Sequence, residues 1–144
     1  EVAHALGAFY SGQKNNGSST VISHGDFAPW NLLRTDDGWA VIDWESARPD
    51  LPPFYDLWHY VVQSHGLLRR PTINDIHDGL LGRGWVGIAA TEYARAAGLS
   101  SEDLSTYLDE YLVASEEFLD LSSSQGRRGL EIRERLRREL HLTR

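Results

Sequence analysis

The residues best suited to chemistry stand close together. His24-Gly25-Asp26-Phe27-Ala28-Pro29-Trp30-Asn31-Leu32-Leu33 is followed by Val41-Ile42-Asp43-Trp44-Glu45. This order supplies one carboxylate, an amide five residues on, and a second carboxylate at the end of the next apolar run. Phosphoryl transfer from a nucleotide needs such a set: a carboxylate to orient the accepting hydroxyl and take its proton, and oxygen ligands for magnesium on the phosphates. Mg²⁺ is hard and prefers oxygen, so Asn with Asp suits it better than His. The plain alternative is that His24, Asp26, Asn31 and Asp43 are turn and cap residues around two short strands.

Three side chains spread over eighteen positions can converge only if the intervening chain turns back. The apolar runs Val21-Ile22, Leu32-Leu33 and Trp39 to Ile42, with Asp36-Asp37-Gly38 before the last, give a hairpin signal. Upstream, Val2, Ala5, Leu6 and Phe9 have the spacing of an amphipathic helix. Asn15 to Ser19 breaks it, and the Asn16-Gly17-Ser18 sequon, with no signal peptide before it, reads as a flexible turn. After Pro49, Pro52 and Pro53 the pattern is helical over 54–65, 72–81, 87–97 closed by Gly98, and 101–121. Ser100 or Ser101 is the expected N-cap of the last, with Leu104, Leu108, Tyr111 and Phe118 on its core face. The acid pairs Glu102/Asp103, Asp109/Glu110 and Glu116/Glu117 fall on the opposite stripe. Ser122 to Gly126 permits a reversal into an Arg-rich segment, so an antiparallel helical hairpin with facing acidic and basic sides is expected.

With those elements in place, the motifs resemble the aminoglycoside phosphotransferase and choline kinase-like family, relatives of the protein kinases. Its pattern is H-G-D-x-x-x-x-N followed by two hydrophobic residues and D-[WF]-E, and every fixed position is matched here. The resemblance implies Asp26 as catalytic base, Asn31 and Asp43 as magnesium ligands, and His24 as the brace of the catalytic loop. It implies Leu33 and Ile42 as the floor under the adenine. Pro53-Phe54-Tyr55-Asp56-Leu57 resembles the family's P-x-x-D-L, whose Asp opens a helix and bonds back to the catalytic loop, which makes Asp56 a support residue. The family usually has Gly soon after D-W-E, where this chain has Arg48-Pro49-Asp50. The implied fold is α+β, mainly α: a protein kinase-like C-terminal lobe with a short catalytic β-hairpin on a helical bundle. Residues 1–144 then form a single domain, 1–65 the catalytic core and 66–144 a helical acceptor-binding subdomain.

Such kinases also need an upstream lobe with a phosphate-covering loop and a lysine that pairs with the phosphates. The one lysine here is Lys14, in the Gly/Asn/Ser turn, and no methionine is present. The expectation is therefore a processed product or a piece of a longer chain, without the N-terminal nucleotide lobe and with little turnover alone. The implied activity is transfer of the γ-phosphate of ATP or GTP, with Mg²⁺, to a hydroxyl of an aminoglycoside-like or amino-alcohol acceptor. Two other classes stand beside it: a non-catalytic ligand-binding kinase-like fragment, and a metal-dependent phosphohydrolase using His24, Asp26 and Asp43 with His59 or His65.

Composition narrows the partners. The net charge is −7. Residues 127–144 hold seven Arg against three Glu, net +4, so residues 1–126 hold seven basic against eighteen acidic residues, net −11. An acidic body disfavours nucleic acid, which needs clustered Lys and Arg, and favours a cationic small acceptor or a divalent metal. No apolar run is long enough to cross a bilayer and there is no cysteine, so no membrane partner and a cytoplasmic setting are expected. Gly82-Arg83-Gly84-Trp85-Val86-Gly87 satisfies G-x-G-x-x-G, but no strand precedes it, and a kinase phosphate loop lies upstream of the catalytic loop. It reads as a loop with a buried Trp85. His59 and His65, six apart on a helix, do not share a face and read as packing or surface residues.

Overall fold

A computed structural model describes residues 21–142. The expected first helix, the 15–19 turn and Lys14 lie outside those residues. Two small antiparallel sheets precede a helical bundle, an α+β arrangement that is mainly α. In the first sheet β1 (Val21–Ser23) pairs with β4 (Arg48–Leu51), with a register irregularity between Val21 and Ser23. In the second, β2 (Leu32–Thr35) pairs with β3 (Gly38–Val41) as a hairpin closed by Asp36-Asp37. That is the hairpin expected from Asp36-Asp37-Gly38. The Arg48-Pro49-Asp50 departure from the family pattern is not a turn but part of β4.

Helix α1 (Tyr55–Leu68) is the axis of the bundle, and eight of its fourteen residues are buried, from Tyr55 to Ser64. It packs against α3 (Gly84–Ala97) and α4 (Leu104–Glu116), while α2 (Ile73–Leu80) packs on α3 and α5 (Ser124–Glu139) on α4. Trp58, Tyr55, Tyr93, Tyr111, Phe27 and Phe54 are the largest side chains of this core. Aromatic burial on this scale is the main driving force for the bundle. Among the described residues no helix is long and apolar enough to cross a membrane.

The helix ends follow capping chemistry, with corrections. Thr72 and Asp75 form a reciprocal capping box on α2, and Gly98 closes α3 in the left-handed region, donating to the Ala94 carbonyl. The N-cap of α4 is Asp103, whose carboxylate accepts from the Thr106 amide, rather than Ser100 or Ser101. Ser100 accepts from Glu102 one turn earlier, so the chain enters the helix later than expected. Leu104, Leu108 and Tyr111 are buried as expected, but α4 ends at Glu116 and Phe118 is half exposed beyond it. The α4–α5 hairpin forms, and Arg137 bonds both Asp109, at 3.3 Å, and Glu116. Gly82 to Gly87 is the α2–α3 corner. A Cβ on Gly87 would lie 2.3 Å from the Gly82 carbonyl carbon, so glycine serves a tight helix–helix turn there, and Trp85 is exposed rather than buried.

Candidate active site

The loop after β1 is shaped by three backbone constraints. Gly25 has φ +83, and a Cβ there would stand 2.2 Å from the Ser46 carbonyl oxygen, so only glycine fits. Asp56, in the first turn of α1 and fully buried, accepts from the amides of His24 at 2.7 Å and Gly25 at 3.0 Å. His24, also fully buried, donates from Nε2 to the Ile42 carbonyl at 2.8 Å and accepts at Nδ1 from the Asp26 amide at 3.3 Å. Those two partners fix its tautomer: a carbonyl can only accept and an amide can only donate. His24 thereby ties the loop to the end of β3, and Trp44 covers it edge-on at 4.6 Å.

Asp26 is the focus of this geometry. Its Oδ2 accepts from Asn31 Nδ2 at 3.0 Å, and the same amide nitrogen donates to the Asp26 carbonyl at 2.8 Å. Its Oδ1 accepts from His59 Nε2 at 3.0 Å. The His59 hydrogen bond holds the Asp26 carboxyl below the usual carboxylate range against the opposing effect of partial burial, with further help from the Asn31 amide. The group is an ionised acceptor at neutral pH.

Asn31 spends both bonds of its nitrogen on Asp26, and its Oδ1 accepts no hydrogen bond among the described residues. The Ile42 amide donates to the Asn31 carbonyl at 3.0 Å, which brings the chain just before Asp43 against Asn31. Asp43 itself is exposed, sits in the left-handed region at φ 63, and makes no hydrogen bond or ion pair among the described residues. A non-glycine residue held there is costly and recurs where function requires it. The sequence-expected set thus divides: Asp26, Asn31, His24 and Asp56 are joined by direct hydrogen bonds, while Asp43 is brought near only through the backbone. Two unengaged hard oxygens, Asn31 Oδ1 and the Asp43 carboxylate, suit magnesium, which takes one or two protein ligands and the rest from phosphate and water. Leu33 and Ile42 follow the same strand parity, share the hairpin face turned away from the core, and are 47% and 40% exposed.

A family model described as the phosphotransferase enzyme family matches residues 5–99. The chain belongs to this family. No curated protein and no solved structure matches it. The matched stretch of this phosphotransferase contains His24, Asp26, Asn31, Asp43 and Asp56, together with α1 to α3; α4 and α5 lie beyond it.

In this phosphotransferase a cleft of about 480 Å³ opens on Asp26, walled by Glu45, Arg48, Tyr55, His59, Phe118 and Arg133. A larger cavity, about 660 Å³ between Arg69, Asn74 and Arg135, lies away from Asp26 and is bordered by none of its partners. At the mouth of the cleft Arg48 is clamped by Asp50 through two bonds, 2.9 and 2.7 Å, and stacks over Phe118. Sequence reasoning missed His59, read as a packing or surface residue. A signal existed: Asp56 and His59 are three apart on one helix, so if one faces the catalytic loop the other does too. His65 is a packing residue, its Nδ1 against the Pro71 carbonyl at 2.7 Å. Among the described residues no three His, Cys, Asp or Glu are grouped to hold a metal. With both His24 nitrogens engaged by the backbone, the phosphohydrolase alternative loses its ligand set.

Proposed function

We propose that this phosphotransferase moves the γ-phosphoryl group of ATP or GTP to a hydroxyl of an amino sugar or amino alcohol, with Asp26 as the base. The observation that carries the reading is the Asp26 carboxylate itself, ionised, held at both oxygens and opening on a cleft large enough for a small acceptor. The acceptor's O–H bond breaks as its oxygen bonds to phosphorus, the proton goes to Asp26, and the nucleoside diphosphate leaves with the electron pair of the broken P–O bond. Asn31 and Asp43 would hold Mg²⁺, which when bound neutralises charge on the phosphates. His24 and Asp56 keep the loop in register through the bonds given above. Leu33 and Ile42 offer an apolar platform for the base of the nucleotide.

The donor's phosphates also need cations. At the cleft Arg48 is engaged by Asp50 and Arg133 by Ser115, Gly129 and Tyr111, so the cationic cover is taken to come from outside residues 21–142. A cationic acceptor is favoured by Glu45 and Asp26 in the cleft, because carboxylates concentrate cations near them. A triphosphate donor and a chain without cysteine favour a cytoplasmic setting.

The test is kinetic. In a version extended upstream, with nucleotide consumption measured over a panel of amino alcohols and sugars, Asp26→Asn is expected to lower kcat by about 10²–10⁴ and leave nucleotide affinity nearly intact. Asp43→Asn is expected to weaken magnesium-dependent nucleotide binding as well. Small, equal effects of Asp26→Asn on kcat and KM would refute the base role, and full activity of the 144-residue chain would refute the need for an upstream lobe. Acceptor affinity that stays constant as the Debye length falls from about 30 to about 8 Å would reject a cationic acceptor.

A further inference from the structure

We infer that His59 is a positioning residue for Asp26, kept as an Nε2–H donor by a relay that runs through Tyr111 to the buried Arg133. The inference rests on Asp26 acting as the base. It concerns residues that the catalytic motif does not contain, two of which lie beyond the matched stretch.

The direction of the first bond in the relay is fixed by its far end. Arg133 has only N–H groups, so its contact of 3.4 Å to the Tyr111 oxygen makes Tyr111 an acceptor there. Tyr111 has one O–H left to donate, and His59 Nδ1 lies within its reach, 3.3 Å away. Burial raises the Tyr111 phenol above its ordinary range despite the nearby Arg133, so this hydroxyl keeps its proton. With that hydroxyl donating, His59 Nδ1 carries a lone pair and the ring proton sits on Nε2, 3.0 Å from Asp26 Oδ1. With the tautomers exchanged, a lone pair would face a carboxylate and the contact would be repulsive.

Arg133 is only 3% exposed, and among the described residues its guanidinium bonds go to neutral oxygens alone: Ser115 Oγ at 2.8 Å, the Gly129 carbonyl at 3.0 Å and Tyr111. A buried guanidinium with no carboxylate in contact is costly in a fold that needs only stability. Here its charge polarises Tyr111 toward donation. The ring planes are held as well, since Tyr55 stacks on His59 at 5.9 Å and meets Tyr111 edge-on at 5.0 Å. The outcome for Asp26 is a carboxylate with one oxygen on His59 and the other on Asn31. The last torsion of an aspartate is otherwise broad, and a base displaced by about 1 Å can lose about 10²-fold in rate.

The experiment has two arms. In the 144-residue chain labelled with ¹⁵N-histidine, ring nitrogen shifts are expected to show His59 as the Nε2–H tautomer, and Tyr111→Phe, which keeps the ring, is expected to mix the two tautomers. A His59 protonated at Nδ1 in the unaltered chain overturns the relay. In the extended enzyme, with MgATP or MgGTP and water or a panel alcohol as acceptor, His59→Leu is expected to lower kcat about 10- to 100-fold with nucleotide KM unchanged. His59→Gln, which returns an N–H near the Nε2 position, is expected to recover most of that loss. An unchanged kcat in His59→Leu overturns the proposal, as does a His59→Gln no better than Leu, which would reduce His59 to packing. If instead Asp26→Asn leaves kcat intact, the base assignment itself fails, and that result is separate from any obtained with His59.

Discussion

Replacing Asp56 removes the acceptor on which the catalytic loop hangs. Its carboxylate takes the amides of His24 and Gly25 at 2.7 and 3.0 Å, in a position with no exposure to solvent. Hydrogen bonds to a charged group contribute about 1.5–3 kcal/mol each, so Asp56→Ala, which strands the buried amide of His24 and the partly buried amide of Gly25, is expected to cost about 3–6 kcal/mol. A carboxylate in the first turn of α1 adds a smaller favourable interaction with the helix N-terminus, about 0.3–1 kcal/mol. The loop cannot simply detach, because Phe27 and Ala28 just beyond it belong to the core. Against a domain stability of about 5–15 kcal/mol the loss is large, and with a urea m-value of about 2 kcal/mol/M it corresponds to a midpoint lowered by about 1.5–3 M. Asp56→Asn keeps one oxygen and is expected to lose about half as much, so the pair remains measurable if the alanine variant unfolds. Urea titration followed by tryptophan fluorescence reads both. An Asp56→Ala midpoint lowered by the equivalent of less than about 1 kcal/mol would refute the reasoning, because the loss of two bonds to a buried charge cannot be that cheap.

Gly25→Ala meets the Ser46 carbonyl at 2.2 Å while holding φ +83, so beyond the roughly 1–2 kcal/mol of a left-handed residue it must displace backbone; a urea midpoint equal to that of the unaltered chain would contradict this. Arg137→Ala leaves Asp109 and Glu116 without their shared partner, and because those acids are partly exposed the expected cost is about 2–3 kcal/mol, under the 3–5 of a fully buried pair. Asp75, Asp103 and Asp120 are held below the usual carboxylate range by bonds from Thr72, Thr106 and Ser122. Folded values lower than unfolded ones mean that the contribution is fully present above an unfolded pKa of about 3.9 and disappears as pH falls through the folded values. The urea midpoint is therefore expected to decline below about pH 4, and less steeply when all three are Asn.

What could be read from the chain was local. The hairpin was legible because Asp36-Asp37-Gly38 stands between two short apolar runs, and the helices because their apolar spacing and the Gly98 stop are properties of consecutive residues. The His24 to Asn31 stretch was legible for the same reason, since Asp26 and Asn31 are five apart and meet directly. Pairings distant in sequence were hidden. Strand β4 carries Pro49 and owes its existence to β1, some twenty-five residues earlier, so nothing local marked it as a strand. Asp103 won the N-cap of α4 over two serines because its carboxylate accepts from both the amide and the hydroxyl of Thr106. His59 lay in a helix whose periodicity assigned it to packing, and its function depends on residues thirty-three positions before it and fifty-two after it.

The charge asymmetry of the sequence finds two separate destinations in the fold. Part of the acidic stripe of α4 is met by the basic tail: Arg137 takes Asp109 and Glu116, whereas Glu102, Glu110 and Glu117 stay exposed. The cleft is a different matter, because none of its acids is answered by the tail through an ion pair. Arg48 is matched by Asp50, and the one tail arginine that reaches the cleft, Arg133, spends its donors on Ser115, Gly129 and Tyr111. Arg133 acts on Asp26 through two intervening neutral side chains, which leaves the carboxylate charged and its outer lone pairs open to an acceptor. Glu45, exposed in the cleft wall, adds a second negative charge at the same opening. Arg133 brings one positive charge of its own to the cleft against the negative charges of Asp26 and Glu45, so the field that a cationic acceptor would enter is reduced and not reversed, and ionic strength separates a charge-steered acceptor from a neutral one.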